Sequence, residues 1–280
     1  MSLLAVDLDG TLLDRQGRPH ERDARAIRAA LAAGVRVSIV TGRLYSGTRA
    51  FVEKLGLSGP IGCADGSHLV HARDHATLLH FGVSGDEARR LRDAFARHGA
   101  ATFVFARDAI GHDAEGAPYV DYVATWSRDV RVEGDVFRHG LWKSEEGVTA
   151  VVAVGTRAQI QGIAGDLARE LPRAVLCATF PMPRGAHAGT WAMIVRSSGG
   201  TKGTAVRWIA EYEGVPLERT VAVGDWINDV PMFEVAGRSF VMGQAPDEVK
   251  ARATDVLSQT SETGGGVAHA IEQAFGIRAE

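Results

Sequence analysis

Short apolar runs alternate with amphipathic stretches at both ends of the chain, and this alternation restricts the fold more than any other feature of the sequence. Leu3–Val6 is a continuous apolar run that stops at acidic residues and Gly10, which is typical of a strand buried on both faces. The stretches that follow predict helix, strand, helix and strand over Asp23–Ala33, Val35–Val40, Gly47–Leu55 and Pro60–Ala64. Strands that alternate with helices predict a parallel sheet with helices on both faces.

The middle of the chain has a different pattern. Two amphipathic helices are predicted, over Asp86–Arg97 and Arg157–Glu170. Strand-like runs surround them at Thr102–Phe105, Tyr119–Thr125, Thr149–Val154, Ala174–Thr179 and Trp191–Val195. Two helices among several strands indicate an α+β module whose helices cover one face of its own sheet.

The alternation resumes in the last third of the chain. Helices are predicted over Lys202–Glu213, Val230–Ala236, Pro246–Ala253 and Val267–Phe275, with strands over Thr220–Val223 and Arg238–Met242. The sequence therefore predicts an α/β fold with a doubly wound, Rossmann-like parallel sheet. This core is discontinuous, over 1–82 and 196–280, and the α+β module is inserted over 83–195.

Charge and cysteine content exclude several classes of protein. The 280 residues carry 31 basic and 34 acidic side chains, so no basic excess is available for a nucleic-acid backbone or an anionic membrane. Cys63 and Cys177 are the two cysteines and form no metal-spaced pair, which indicates a reducing compartment. No signal peptide and no membrane-spanning run is recognisable. We therefore expect a cytoplasmic protein without nucleic-acid or membrane partners, as a monomer or dimer.

Two acidic residues, Asp7 and Asp9, directly follow the first predicted strand. The period of a strand points both side chains to one side before the chain turns at Gly10. Ligands of open α/β sheets bind at the carboxyl ends of strands. Because two close carboxylates repel, either one is protonated or a hard cation lies between them. A simple turn is the alternative, since Asp and Gly are common turn residues.

A second acidic cluster, Gly224–Asp229, follows another predicted buried strand. If that strand neighbours the first one, Asp225 meets Asp7 and Asp9 at one edge of the sheet. Three side chains that offer only oxygen suit Mg²⁺ and do not suit zinc. The alternative is an Asx turn that caps the helix after Val230.

Anion-binding groups occur at two further strand or helix ends. Thr41, Gly42 and Arg43 end the second strand and offer a hydroxyl, a flexible backbone and a guanidinium to phosphate oxygens. Lys202 begins a helix, where free N–H groups already attract anions, although a solvated helix start is the plain alternative. It is one of only four lysines among 31 basic residues, which favours a role for a compact point charge. Together with the acids, these groups fit phosphoryl transfer through a carboxylate nucleophile.

In these motifs the chain resembles hydrolases of the haloacid dehalogenase (HAD) superfamily, of the Cof-type group with a class IIB cap. Asp7–Thr11 matches the first family motif, Thr41 the second, Lys202 the third, and Gly224–Asp229 with Met232 the fourth. The similarity covers essentially the whole core, and the insert lies where the cap of this group belongs.

The resemblance implies a Mg²⁺-dependent phosphatase that acts on a small phosphorylated metabolite, such as a sugar phosphate or a related phosphomonoester. By this resemblance Asp7 attacks the phosphorus and forms an aspartyl-phosphate. Asp9 protonates the leaving oxygen and then deprotonates the hydrolytic water. Thr41 and Lys202 hold the phosphoryl oxygens, and Asn228 supports the phosphate side.

The same resemblance implies the metal ligands. Mg²⁺ is bound by the Asp7 carboxylate, the Asp9 backbone carbonyl and Asp225. Asp229 orients either Lys202 or a metal-bound water.

Three further positions are candidates for substrate contacts. Asp65 stands in the loop Ala64–Ser67, where relatives carry Asn-Gly-Ala, and its charge favours a substrate with nearby hydroxyls or an ammonium group. Trp226 occupies a position that is usually small or polar, and it either lines the pocket or packs on the neighbouring loop. Arg184 lies in the Gly-containing loop before Trp191 and is a further candidate.

Two other functions share parts of this pattern. A phosphomutase uses the same aspartyl-phosphate but returns the phosphoryl group to a sugar. A receiver-like signalling protein also gathers Asp, Thr and Lys at strand ends. The second acid, Asp9, and the inserted module both count against a receiver.

Overall fold

The structure is a computed structural model that describes residues 1–182 and 187–278. The chain divides into two compact units. The first comprises Met1–Gly42, Arg49–Leu78 and the chain from Thr201 onward, and the second comprises Arg43–Thr48 and Leu79–Gly200. The boundaries predicted from the sequence fall after residues 82 and 195.

Strands and helices follow one another along the described chain with these bounds. The strands are β1 (Leu3–Val6), β2 (Arg36–Ile39), β3 (Pro60–Cys63), β4 (His68–His71), β5 (Thr77–His80), β6 (Ala101–Ala106), β7 (Ala109–His112), β8 (Asp129–Val132), β9 (Ala150–Gly155), β10 (Val175–Pro181), β11 (Trp191–Ser197), β12 (Thr220–Gly224), β13 (Arg238–Val241) and β14 (Asp255–Val256). The helices are α1 (Glu21–Ala32), α2 (Tyr45–Leu55), α3 (Gly85–His98), α4 (Val120–Val123), α5 (Arg157–Glu170), α6 (Lys202–Tyr212), α7 (Val230–Val235), α8 (Asp247–Lys250) and α9 (Gly266–Phe275).

The main sheet of the first unit is parallel, with its strands in the order β14, β13, β12, β1 and β2. All four residues of β1 are buried, as expected for a strand covered on both faces. Leu3 is in register with Thr220 on one side and with Arg36 on the other. A bridge between Val40 and Gly62 continues this parallel arrangement to β3, which then pairs antiparallel with β4. The expected α/β fold with a parallel core sheet is confirmed.

Helices cover both faces of this sheet. The connection from β1 to β2 and the connection from β12 to β13 run outward in opposite directions. Because such crossovers are right-handed, α1 and α7 lie on opposite faces. α1 packs with α9, and buried Asp23 accepts hydrogen bonds from the N–H groups of Gly265 (2.8 Å) and Ala268 (2.7 Å), which caps α9. The strand order therefore changes direction between β1 and β12, because β2 is added on one side of this pair and β13 on the other. Open α/β sheets bind their ligands at such a position.

The second unit is built on a mixed six-stranded sheet, in the order β10, β11, β9, β6, β7 and β8. Its neighbouring strands are antiparallel except for the parallel pair β7 and β8. α3 and α5 pack against each other, and Phe95, Ile160 and Val151 belong to one buried cluster with them. Trp142 is buried in this cluster, where its indole N–H donates to the Val136 carbonyl at 2.8 Å. The α+β character predicted for the insert is confirmed.

One element of the insert differs from its prediction. Tyr119–Thr125 was expected to be a strand, but a 3₁₀ turn over Ala114–Tyr119 leads into helix α4. Tyr122 and Trp126 are four residues apart, and their rings meet edge to face with centroids 5.0 Å apart. Helical spacing brings such a pair to one side, so aromatic packing outweighs the strand propensity of this stretch.

Within the described residues, no helix combines the length and the apolar content needed to cross a membrane.

Candidate active site

Asp7 directly follows β1 and is 4% exposed. Its N–H donates to the Val223 carbonyl at 3.0 Å, so the parallel ladder with β12 extends to the acid itself. Beyond Leu8 the chain leaves the sheet, because the N–H groups of Leu12 and Leu13 both turn back to the Leu8 carbonyl. The sheet thus holds Asp7 rigidly at the carboxyl end of a central strand.

Lys202 is the first residue of α6 and is only 1% exposed. Its Nζ lies 2.5 Å from Asp7 Oδ1 and 2.5 Å from Asp229 Oδ1, so one ammonium group joins two acids. Burial alone lowers the pKa of Lys202, but the nearby charges of Asp229 and Asp7 outweigh it and raise the pKa above its ordinary value. Lys202 is therefore a permanent positive charge in this site.

Asp229 holds the loop after β12 together. Its Oδ2 accepts hydrogen bonds from the N–H groups of Asp225 (2.8 Å) and Trp226 (2.9 Å), while Oδ1 faces Lys202. Both oxygens of this buried carboxylate are thus occupied by groups of the protein. Asp229 therefore connects Lys202 to the backbone of the loop after β12.

Asp225 is the next acid in the site. Its carboxylate accepts hydrogen bonds from the Thr11 hydroxyl (3.4 Å) and from Gln244 Nε2 (3.2 Å). Gln244 Nε2 also donates to the Gly10 carbonyl at 2.6 Å. A Cβ at Gly10 would lie 2.3 Å from Asp225 Oδ2, and the φ angle of Gly10 is +84°, so glycine is required for this close approach.

Thr11 and Gln244 were not among the predicted site residues. Thr11 lies in the first motif, and Gln244 follows the end of β13 by three residues. A polar side chain just beyond the carboxyl end of a parallel strand was the available signal in both cases.

Carboxylate oxygens of Asp7, Asp225 and Asp229 all lie within 4.8 Å of one another, an arrangement that could hold a metal ion. Burial raises the pKa of Asp7 well above its ordinary value, and burial together with Asp229 raises the pKa of Asp225 to about 6. A cation at this cluster relieves both effects because it stabilises the ionised carboxylates. The donor set offers oxygen alone, which fits Mg²⁺.

Three of the predicted substrate-binding residues of the first unit, Thr41, Asp65 and Asn228, are joined by hydrogen bonds. Thr41 is fully buried after β2, where its N–H donates to the Gly62 carbonyl at 2.8 Å and its carbonyl accepts from the Asp65 N–H at 2.8 Å. Asn228 Nδ2 donates to Asp65 Oδ1 at 2.7 Å. Asp65 thereby links the end of the second strand to the loop of the fourth motif.

Other predicted residues are not brought into this cluster by the described contacts. Asp9 is exposed, and its side chain is not part of the acidic group. Arg43 belongs to the second unit, where its guanidinium donates to the Gly47 carbonyl at 3.5 Å. Trp226 is 55% exposed. Arg184 lies outside the described residues. The roles of these residues, like those of the clustered ones, remain predictions.

The family model described as haloacid dehalogenase-like hydrolase matches residues 4–271. A 5-amino-6-(5-phospho-D-ribitylamino)uracil phosphatase of Bacillus subtilis is 28% identical, with 98% of each chain covered. A pyridoxal phosphate phosphatase of Escherichia coli is 26% identical over 92% of this chain and 94% of its own.

Solved structures share the fold. A haloacid dehalogenase-like hydrolase from Bacteroides thetaiotaomicron has a TM-score of 0.81 and 22% identity, and the match covers 98% of this chain and 99% of the other. A HAD subclass IIB sugar phosphatase, BT4131, has a TM-score of 0.76 and 21% identity, with 99% of each chain covered. The resemblance to haloacid dehalogenase superfamily hydrolases that the motifs indicated is thus confirmed, and the fold is shared with a subclass IIB protein. With acids, lysine and loops arranged as above on a fold of this type, the chain belongs to the haloacid dehalogenase-like hydrolase family.

Proposed function

We propose that this protein is a Mg²⁺-dependent phosphatase that hydrolyses a small phosphorylated metabolite through an aspartyl-phosphate on Asp7. The observation that carries the proposal is the buried ammonium group of Lys202, 2.5 Å from both Asp7 and Asp229, beside the third acid Asp225. A nucleophilic carboxylate, a fixed cation for phosphoryl oxygens and an oxygen-only metal cluster are the parts that phosphoryl transfer needs.

In the first step an oxygen of the Asp7 carboxylate attacks the phosphorus, and the bond from phosphorus to the ester oxygen breaks. Asp9 gives its proton to the leaving oxygen, so that an alcohol departs. In the second step Asp9 takes a proton from water as that water attacks the phosphorus. The bond to Asp7 breaks, inorganic phosphate is released, and both acids return to their starting states.

The chain's own donors hold the phosphoryl group during both steps. Lys202 supplies the fixed positive charge, and Thr41, Gly42 and Asn228 supply a hydroxyl, a backbone N–H and an amide. Arg43 is a further candidate from its place in the sequence. Each donor stands at a strand or helix end, so the cradle is rigid before substrate binds and costs little reorganisation.

The metal ligands in this proposal are the carboxylates of Asp7 and Asp225 and the backbone carbonyl of Asp9. Asp229 stays outside the metal shell because its two oxygens are taken by Lys202 and by the N–H groups of its own loop. A bound Mg²⁺ supplies positive charge that reduces the repulsion between the Asp7 carboxylate and an anionic phosphate ester.

Three relatives support the proposed substrate class. The curated relatives named above act on a phosphoribityl-aminouracil and on pyridoxal phosphate, and a structural relative is called a sugar phosphatase. The substrates in these three names are all phosphomonoesters of small molecules. We infer a sugar phosphate or a related small ester, with the α+β unit as the part that selects the leaving group.

The test is phosphate release from sugar phosphates, phosphorylated ribityl and pyridoxal compounds, nucleotides and an aryl phosphate, each with Mg²⁺ and with chelator. Asp7→Asn is compared with wild type, and Asp166→Asn, on helix α5 of the second unit, is the matched control. We expect Mg²⁺-dependent release that falls at least ~10⁴-fold in Asp7→Asn, because the nucleophile is lost, and stays unchanged in the control.

Retained turnover in Asp7→Asn would contradict the assignment of the nucleophile. A phosphorylated Asp7 that persists in wild type and passes its phosphoryl group to a sugar would identify a mutase. A wild type that releases phosphate from no compound and forms no phospho-enzyme contradicts the proposal.

A further inference from the structure

The loop after β3 has positive φ angles at two residues that are not glycine. Ala64, Asp65 and Gly66 follow one another with φ angles of +48°, +53° and +94°. The left-handed region is unfavourable for alanine and only tolerated by aspartate, so the surrounding structure must hold this loop in place. Asp65 is also 5% exposed, although it is an ionisable residue. A strained, buried carboxylate of this kind indicates a functional constraint on the loop.

Contacts on three sides keep the loop in this conformation. The Asp65 N–H donates to the Thr41 carbonyl at 2.8 Å, and Asp65 Oδ1 accepts from Asn228 Nδ2 at 2.7 Å. On the third side, a Cβ at Gly66 would lie 2.1 Å from the Thr201 carbonyl, directly before α6. The loop is therefore wedged between the second strand end, the fourth motif and the start of the helix that carries Lys202.

These neighbours are the groups that hold phosphate in the function proposed above. A Cβ at Gly42 would lie 3.3 Å from Asp65 Oδ1, so the Asp65 carboxylate directly faces the Thr41–Gly42 backbone. Its charge also acts on Lys202, whose ammonium group it helps to keep ionised. Asp65 thus places a negative charge among the donors, where a dianionic phosphate has to bind.

We propose that Asp65 weakens the hold of this site on phosphate and so favours release of the product. The proposal rests on the phosphatase function proposed above. A buried carboxylate close to the donors repels the phosphate dianion, and it engages an amide proton of Asn228 that phosphate could otherwise use. Lys202 binds the phosphoryl group strongly, and Asp65 limits how tightly the free product stays bound.

The variant Asp65→Asn isolates the charge. Asparagine has the same shape, its amide oxygen can still accept from Asn228, and it tolerates positive φ. The matched control is Asp74→Asn. Asp74 is an exposed acid beyond β4, next to the start of β3, whereas Asp65 follows the end of β3. The two changes remove the same charge at sites roughly 13 Å apart along a four-residue strand.

The experiment measures the Kd of inorganic phosphate by calorimetry, with Mg²⁺ kept saturating for each variant. We expect roughly 3- to 30-fold tighter binding in Asp65→Asn, for the loss of one like charge at short range, and no change in Asp74→Asn. The inhibition constant of phosphate against the best substrate should fall by the same factor. A purely structural role predicts the opposite sign, because loosening the cradle weakens binding.

Asp65→Gly provides a second variant that accepts the left-handed backbone and removes the side chain altogether. Tighter phosphate binding in both variants supports a role of the charge. Unchanged or weaker binding in a folded Asp65→Asn protein overturns the proposal, whatever the glycine variant does. Calorimetry needs no turnover, so these outcomes are distinct from a failure of the phosphatase function, which is read from phosphate release by wild type.

Discussion

Two groups of charged side chains, one in each unit, have similar chemistry and opposite surroundings. In the first unit, Lys202 joins Asp7 and Asp229 where all three side chains are almost completely buried. In the second unit, Asp166 on α5 is paired with Arg97 at 2.8 Å and Arg169 at 2.6 Å, whose side chains are 45% and 67% exposed.

The pKa values of the carboxylates are shifted in opposite directions in the two groups. Burial raises the pKa of Asp7 well above its ordinary value, despite the neighbouring ammonium group. Hydrogen bonds from Arg169, His98 and Arg97 hold the pKa of Asp166 far below its ordinary value. In the second unit, hydrogen bonds stabilise the ionised Asp166 at little desolvation cost. In the first unit, burial disfavours the ionised form of Asp7. Charges retained at such a cost indicate function in the first unit, and the second group only fastens two helices at the surface.

After the loss of the nucleophile in Asp7→Asn, the largest effect should come from Lys202→Ala. We expect kcat to fall by about 10²- to 10³-fold, because a donor to the transition-state charge is lost. The free energy of unfolding should also fall by about 3–5 kcal/mol, since two buried acids lose their common partner. Steady-state kinetics and urea denaturation measure these effects, with Arg97→Ala as the matched control in the exposed group. Equal losses of stability in the two variants would remove the contrast between the groups.

A smaller effect concerns Asp225 and has a defined pH dependence. Its pKa is raised from 3.8 to about 6 in the folded protein without metal, so its ionised form destabilises the fold at neutral pH. In chelator, Asp225→Asn should be more stable than wild type by roughly 2–3 kcal/mol at pH 7. This difference should shrink as the pH falls through 6 toward 4, because the wild-type carboxyl then takes up its proton.

Addition of Mg²⁺ at pH 7 should reverse that order, since only wild type keeps the ligand. Below about pH 6 the proton competes with the metal, so the apparent Mg²⁺ affinity should decrease by up to about tenfold per pH unit. Calorimetric titration between pH 5 and 8 measures it. An affinity that does not depend on pH over this range would exclude Asp225 from the metal ligands.

The smallest effect should come from Asp166→Asn. We expect unchanged kcat and a loss of at most about 1 kcal/mol of stability at neutral pH, because exposed ion pairs contribute little. The folded-state pKa of Asp166 is lowered, so its contribution is present above about pH 4 and disappears as the pH falls further. Denaturation at pH 7 and pH 3, in low and high salt, measures it. A loss comparable to that of Lys202→Ala would show that exposure does not separate the two groups.

The local elements could be predicted from the sequence because their signals are local. The apolar run Leu3–Val6 coincides with β1, and the amphipathic pattern over Asp86–Arg97 predicts α3 to within a residue at each end. The strand predicted over Tyr119–Thr125 was wrong because the packing of Tyr122 on Trp126 outweighs the local strand propensity there. Gln244 was not identified as a site residue because its partners, Gly10 and Asp225, are distant in the sequence.

The sequence by itself determined which residues end each strand: acids after β1 and β12, a threonine after β2, and a lysine at the start of α6. It also determined that these residues belong to an α/β chain with an α+β insert. Only the tertiary structure decided that β12 pairs with β1, which brings Lys202 to Asp7 across 195 positions of the chain. The physical reason is that buried parallel strands have nearly the same apolar pattern, so the pattern specifies a strand but not its neighbour. The strand order follows from the packing of all the helices and strands together, and the acidic cluster exists only once that packing has formed.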